Sequence, residues 1–148
     1  MEFEIMRKGH LGECAKVMME TYRQHPWNEV WPYERAYNYL DEYYEMPRFI
    51  GYCLFLNSRL IGAAFCRVKT GWVKDSLYID EFFITPSEQR KGYGNALLDK
   101  VQRYVCKNNL MGIMLMTDRN KPAVTFYEKN GFVQKSHIAY LYGEINKK

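Results

Sequence analysis

The segment Gln89-Arg90-Lys91-Gly92-Tyr93-Gly94-Asn95-Ala96 follows an apolar run and opens a helical pattern, and its residue types speak most directly of chemistry. Glycine lets backbone N–H groups approach an anion, and the first turn of a helix carries about half a positive charge, so the segment suits a phosphate or pyrophosphate. A glycine turn that merely starts a helix has the same local sequence. Two nucleotide motifs are excluded, because the dinucleotide fingerprint needs a third glycine where Leu97 stands and the triphosphate loop needs Gly-Lys-Ser/Thr. A second unusual feature is Asp80-Glu81, two carboxylates inside the apolar run 76–84. The alternation slips there, as it does where a β-bulge re-aims side chains. Adjacent like charges are tolerated only where solvent, hydrogen bonds or a positive partner compensates them.

Charge along the chain is uneven. Between residues 20 and 46 the acids Glu20, Glu29, Glu34, Asp41, Glu42 and Glu45 face only Arg23 and Arg35, interleaved with aromatic residues. Trp27, Trp31 and Tyr33 in that stretch can wall a cation or pack in the core. From 86 to 108 the sign reverses, with Arg90, Lys91, Lys100, Arg103 and Lys107 against Glu88 and Asp99. The net charge of +4 is mild. Its basic residues gather around one loop instead of forming a long stripe, which argues against a nucleic-acid partner.

The elements that position these residues follow from periodicity. Residues 2–7 alternate as a strand, and Leu11, Ala15, Met18, Met19 and Tyr22 recur at helical spacing. After Pro32, Tyr33, Ala36, Tyr37, Leu40, Tyr43 and Tyr44 form a second helical stripe, stopped at Met46-Pro47. Runs 49–56 and 60–68, joined by Asn57-Ser58-Arg59, predict a hairpin, and 76–84 predicts the next strand. Leu97, Leu98, Val101, Tyr104 and Val105 mark a helix ending at Asn108-Asn109. A short buried strand is expected at 111–117 and a helix at 120–130, with Asn120 as cap, Pro122 in the first turn and Gly131 past the end. Strands at 132–136 and 138–145 complete the expected order.

At 148 residues with 47% hydrophobic content, the chain reads as a single domain, 1–148, large enough to bury a core without disulfide or metal. Aromatics at 16%, including 13 tyrosines, argue for a packed core plus an aromatic-lined pocket. Cys14, Cys53, Cys66 and Cys106 show no metal or redox spacing and read as buried small hydrophobes in a reducing compartment. His10, His25 and His137 each stand alone. No metal is expected. Without a secretion signal or a run of about 20 apolar residues, the expected setting is cytoplasmic, with no membrane partner.

In its surroundings the glycine loop resembles the pyrophosphate-binding signature of the GCN5-related N-acetyltransferases (GNAT), Gln/Arg-x-x-Gly-x-Gly/Ala. Ile84-Thr85-Pro86 resembles that family's strand end before the loop. The run Phe126-Tyr127-Glu128-Lys129-Asn130-Gly131-Phe132 resembles its second signature. The resemblance is firm from about residue 77 to 132, and 78–84 looks most like polyamine acetyltransferases. It implies an α/β (α+β) fold, a mixed, mainly antiparallel sheet flanked by helices and splayed at the acetyl-CoA site. It implies an acetyl-CoA cosubstrate contacted by Phe82, Phe83, Ile84, Gln89, Arg90, Lys91, Gly92, Tyr93, Gly94, Asn95, Asn120 and Tyr127.

The expected reaction is transfer of acetyl to a primary amine by direct attack in a ternary complex. A protonated alkylamine, with pKa near ~10.4, must lose a proton first, so a carboxylate or a water chain leading to one is needed. Glu81 stands ahead of Asp80 for that task, and either can instead bind the acceptor's ammonium. A backbone N–H near Phe83, at the bulge, would hold the oxyanion. Tyr127, resembling the family's general-acid tyrosine, would protonate the leaving thiolate; by itself it also reads as a core aromatic. In the histone-acetylating branch the basic glutamate lies three positions earlier, where this chain has Tyr78, so that base is not carried over. The acceptor expected is a small cation, polyamine or aminoglycoside-like, met by Trp27, Trp31, Tyr33, Asp80 and Glu81. The alternatives are a protein lysine or N-terminal acetyltransferase, and a non-catalytic acyl-CoA-binding sensor. A homodimer is left open.

Overall fold

Residues 60–66 carry no polar side chain, and they lie in the central strand of the sheet. That strand, β3 (Arg59–Lys69), buries Ile61, Ala63, Ala64 and Phe65 completely. It lies between β2 (Phe49–Leu56) and β4 (Ser76–Ile84), with β1 (Glu2–Ile5) and β5 (Ile113–Leu115) outermost, in the order β1-β2-β3-β4-β5. The first four strands are antiparallel and β5 runs parallel to β4. The structure, a computed structural model, describes residues 1–146. They divide into one compact unit, Met1–Met116, and a second from Thr117 onward.

Local chemistry accounts for the elements of the first unit. Asn57 and Ser58 both take positive φ, 50° and 64°, in the two-residue turn that joins β2 to β3, as a type I′ hairpin requires. Helix α1 (Leu11–Arg23) buries Leu11, Cys14, Ala15 and Met18 on one stripe, and α2 (Tyr33–Tyr44) buries Ala36 and Leu40. These side chains share a cluster with Cys53, Ala63, Phe65 and Phe83, so α1 and α2 cover one face of the sheet. Helix α3 (Tyr93–Lys107) lies on the other face, where its Lys100 stands 5.7 Å from the rings of both Phe3 and Tyr52. Cys14 and Cys53 meet in the core with sulfurs 4.0 Å apart, and Cys66 is buried as expected. Cys106 is exposed, because its position in α3 lies off the Leu98, Val101, Val105 stripe.

The second unit holds α4 (Pro122–Lys129), which ends in a Schellman motif. Gly131 takes φ 89°, its N–H donates to the Glu128 carbonyl at 3.1 Å, and Phe132 N–H donates to the Tyr127 carbonyl at 3.1 Å. Asn120 is not the cap. Lys121 occupies that position without a side-chain capping bond, and Asn120 N–H donates to Asp118 Oδ1 at 2.9 Å within a preceding turn. The expected strand at 111–117 shortens to Ile113–Leu115. The two strands expected at 132–136 and 138–145 do not form among the described residues. Alternation supplies an apolar face, but a strand also needs a neighbouring edge for its backbone groups, and Val133, Ile138, Tyr140, Leu141, Tyr142 and Ile145 stay exposed. No helix of the described residues is long and apolar enough to cross a membrane.

At Gly62, β3 lies close against β4. A Cβ there would lie 2.5 Å from Ile84 Cδ1 and 2.8 Å from the Phe83 carbonyl oxygen, which is backbone and cannot swing aside. Gly62→Ala is therefore expected to cost about 1–3 kcal/mol of stability, the range for overpacking, read as a lower midpoint in urea denaturation. An unchanged midpoint would show that β4 moves freely at this point.

Candidate active site

The register of β3 against β4 shifts between Phe65 and Cys66. Phe65 opposes Glu81 and Cys66 opposes Ile79, which leaves Asp80 as the extra residue of a bulge. Before the bulge, Leu77 and Ile79 share the α3 face with Cys66; after it, Glu81 and Phe83 share the α1/α2 face with Phe65 and Ala63. Without the extra residue Glu81 would fall on the same side as Ile79. The ladder to β5 covers Leu77–Ile79 only, so from Asp80 onward β4 has no partner strand on that side among the described residues. The expected bulge and splay are both present.

The two carboxylates have separate fates. Asp80 Oδ2 accepts from Arg67 Nε at 2.9 Å, and its side chain is only 6% exposed. Arg67 also lies 4.7 Å from the centroid of the Tyr78 ring. Burial raises Asp80 above the usual carboxylate value and Arg67 pulls it back. Its compensating cation is internal. Glu81 has no Lys or Arg partner among the described residues; instead Tyr22 Oη donates to Oε1 at 2.7 Å and Tyr39 Oη donates to Oε2 at 2.5 Å. Burial pushes Glu81 up, the Tyr39 and Tyr22 hydroxyls pull it down, and the charges of Glu29 and Asp80 push it up again.

Aromatic side chains surround this carboxylate. Trp27 stands edge-on to Tyr22 at 5.4 Å, and Trp31 packs on Tyr39 at 5.0 Å while its Nε1 donates to Glu29 Oε1 at 2.9 Å. Glu29 N–H in turn donates to the Tyr22 carbonyl at 2.8 Å. The two tryptophans thus flank the tyrosines that hold Glu81. Tyr33 is placed elsewhere, against Tyr37 and with its hydroxyl over Gly12 in the first turn of α1. Tyr22, Tyr39 and Arg67 were absent from the expected site. The spacing of Tyr39 and Tyr43, one turn apart, was a signal for a shared face, but only the fold brings it to Glu81.

Beyond the bulge, Thr85 N–H donates to the Ile61 carbonyl at 2.7 Å, so alternation turns the Phe83 N–H toward β3 and those of Phe82 and Ile84 away from it. The Phe83 N–H itself is therefore turned toward the sheet. The Phe83 side chain is in the core, 6.3 Å from the Phe65 ring and 6.5 Å from Tyr22. The Ile84 carbonyl accepts from Gln89 Nε2 at 2.9 Å, which ties the start of the glycine loop to the end of β4. Arg90 is exposed with φ 63°, and Gly92 caps α3 with φ 88° and open space where a Cβ would stand. Helix geometry leaves the first-turn amides of α3, around Tyr93 and Gly94, without intrahelical acceptors. Lys91 pairs with Glu88 at 3.2 Å, and Glu88 also meets Arg59 at 3.2 Å.

In the second unit Tyr127 is buried, its ring 5.1 Å from Phe126 and 5.2 Å from Phe132. The Schellman motif that brings Phe132 back to Tyr127 is what Asn130-Gly131-Phe132 encodes.

A sheet splayed beside a bulged strand that leads into a glycine-capped helix frames the candidate site. Residues 16–132 match the acetyltransferase (GNAT) family model, and the chain belongs to this family, whose members use acetyl-CoA. Solved structures agree on the fold. A possible acetyltransferase from Clostridium difficile 630 is similar with TM-score 0.81 at 16% identity, covering 98% of each chain. An aminoglycoside N-acetyltransferase in complex with CoA gives 0.75 at 15% identity, over 97% of this chain and 95% of that one. An aminoglycoside acetyltransferase from an uncultured soil metagenomic sample, in complex with sisomicin, gives 0.74 at 13%, over 98% and 96%.

Removing the internal cation of Asp80 tests the division of labour between the carboxylates. Arg67→Met leaves a buried carboxylate unpaired, so the folded-state pKa of Asp80, already raised, rises further. A raised carboxyl favours the folded state less as pH climbs through the window above its unfolded value of 3.8. The variant should lose about 1–3 kcal/mol at pH 7 and less at pH 4, measured by urea denaturation at both. An equal loss at both would show that Asp80 does not depend on Arg67 for its charge.

Proposed function

We propose that this chain transfers the acetyl group of acetyl-CoA to a primary amine of a small cationic acceptor by direct attack in a ternary complex. The observation that carries this reading is Glu81: a carboxylate with no cation of its own among the described residues, flanked by aromatic side chains, at the point where β4 leaves β5. An acceptor ammonium supplies the missing charge, and tyrosine and tryptophan rings favour a cation.

Each step then has a group of the right chemistry. The glycine loop and first turn of α3 receive the pyrophosphate, with Arg90 beside it. Glu81 accepts a proton from the ammonium, and the freed nitrogen attacks the thioester carbon. The oxyanion that forms is met by the amides of β4 that point away from β3. Collapse of the tetrahedral species releases the thiolate of CoA; Tyr127, in the role the family resemblance gives it, protonates that thiolate, and the second proton lost by the acylated nitrogen restores the tyrosine hydroxyl. Asp80, neutralised by Arg67, holds the bulge that aims Glu81. The fold shared with aminoglycoside acetyltransferases, together with the acid-rich segment 20–46, supports a small polycation ahead of a protein lysine.

Two measurements check this. CoA release from acetyl-CoA, followed with a thiol reagent over a panel of spermidine, an aminoglycoside, a lysine peptide and a neutral amine, should be fastest with the polycations, and added salt should raise their KM. Tyr127→Phe should lower kcat by roughly 10²–10⁴-fold, the loss of a positioned acid, with acetyl-CoA affinity unchanged. Release with none of the amines, or equal rates with the neutral one, would overturn the reading.

The cofactor half is tested separately by calorimetry. Gly92→Val forces a β-branched residue into φ 88°, so acetyl-CoA binding should be lost while the circular dichroism spectrum is retained. Wild-type affinity in a folded variant would place the pyrophosphate elsewhere.

A further inference from the structure

Each oxygen of Glu81 is engaged by a different helix, Oε1 by Tyr22 of α1 and Oε2 by Tyr39 of α2. From the next turn of α2, Tyr43 Oη donates to Tyr39 Oη at 3.4 Å. Packing alone does not call for these hydroxyls. The Tyr22 ring already meets Trp27 and Phe83, and the Tyr39 ring meets Trp31 and Tyr43, contacts that phenylalanine would keep. Burial and the neighbouring charge of Glu81 keep the Tyr39 hydroxyl protonated, so it stands as a donor at every ordinary pH. The other groups facing Glu81 are accounted for: Glu29 from the loop between the helices accepts from Trp31, and on β4 and β3 Asp80 and Arg67 satisfy each other.

A carboxylate oxygen has two lone pairs, and a hydroxyl donor takes one. Two donors from two helices therefore leave one lone pair on each oxygen and remove the rotation that would otherwise scatter them. We propose that Tyr22 and Tyr39 are positioning residues for the acceptor step, clamping the Glu81 carboxylate in one orientation so that its remaining lone pairs receive the acceptor's proton. The proposal rests on the acetyl-transfer reading above. In the step itself an N–H bond of the ammonium breaks and an O–H bond forms on Glu81, while nitrogen keeps the electron pair that attacks the thioester carbon. The clamp also ties the competence of a β4 residue to the seating of α1 and α2.

The test uses Tyr22→Phe and Tyr39→Phe separately, so that failure of one to fold leaves the other. Glu81 is followed by carbon-13 NMR titration of its carboxyl, and kcat/KM against pH is measured with the best amine of the panel. Each variant loses a hydrogen bond to the charged form, so the titration midpoint should rise by about one unit, and the acid limb of kcat/KM should move up with it. Below that limb kcat/KM falls about tenfold, with acetyl-CoA affinity unchanged. A 3-fluorotyrosine at position 39 keeps the hydroxyl and should hold the limb at or below its wild-type place. A midpoint and limb unmoved in both phenylalanine variants would make the tyrosines packing residues and overturn the proposal. The titration needs no turnover, so a wild-type protein that acetylates nothing would count against the acetyl-transfer reading alone, while the midpoint still decides the clamp.

Discussion

One extra residue in β4 governs the site. Because side chains alternate across a strand, inserting Asp80 opposite no residue of β3 moves Glu81 and Phe83 to the opposite face from the one that Ile79 occupies. The face they reach is the one covered by α1 and α2, where hydroxyl donors stand. The same irregularity falls where the ladder to β5 ends, so the strand changes its side-chain faces and loses its neighbour within one residue of each other. Gln89 then secures the glycine loop to the carbonyl of Ile84, which passes the position of β4 on to the start of α3.

Two carboxylates side by side are costly unless compensated, and the fold compensates them by different means. Asp80 is neutralised by Arg67 across the sheet, itself steadied on the Tyr78 ring, and so serves the bulge. Glu81 is given only neutral donors, which moderate burial without cancelling the charge. An internal cation for one and, among the described residues, none for the other is what distinguishes the two acids. Residue type alone gives no basis for that distinction, since aspartate and glutamate at adjacent positions titrate alike in water.

Much of the site was legible along the chain where the signal is local. The glycine loop needs φ near 88° at Gly92, and the Asn130-Gly131-Phe132 run needs a left-handed residue at Gly131; both are properties of a few consecutive residues. The slipped alternation at Asp80-Glu81 likewise announced the bulge. Tyr33 illustrates the opposite case: it shares a segment and an aromatic character with Trp27 and Trp31, yet α2 turns it toward Gly12. The strands expected at 132–145 failed for a related reason, because alternation describes one chain and a ladder requires two.

By itself, then, the sequence determined the order of the elements as far as α4, the turns that demand positive φ, the place of the bulge and the membership of an acetyl-transferring family, since each depends on neighbours in the chain. Tertiary structure alone decided which carboxylate is paired with a cation and which is held by neutral hydroxyls, because Arg67 reaches Asp80 across a strand pair, and Tyr22 and Tyr39 reach Glu81 from 59 and 42 residues away. Hydrogen bonds of that separation carry no trace in local spacing; they exist only once α1 and α2 are packed over the face that the bulge selects.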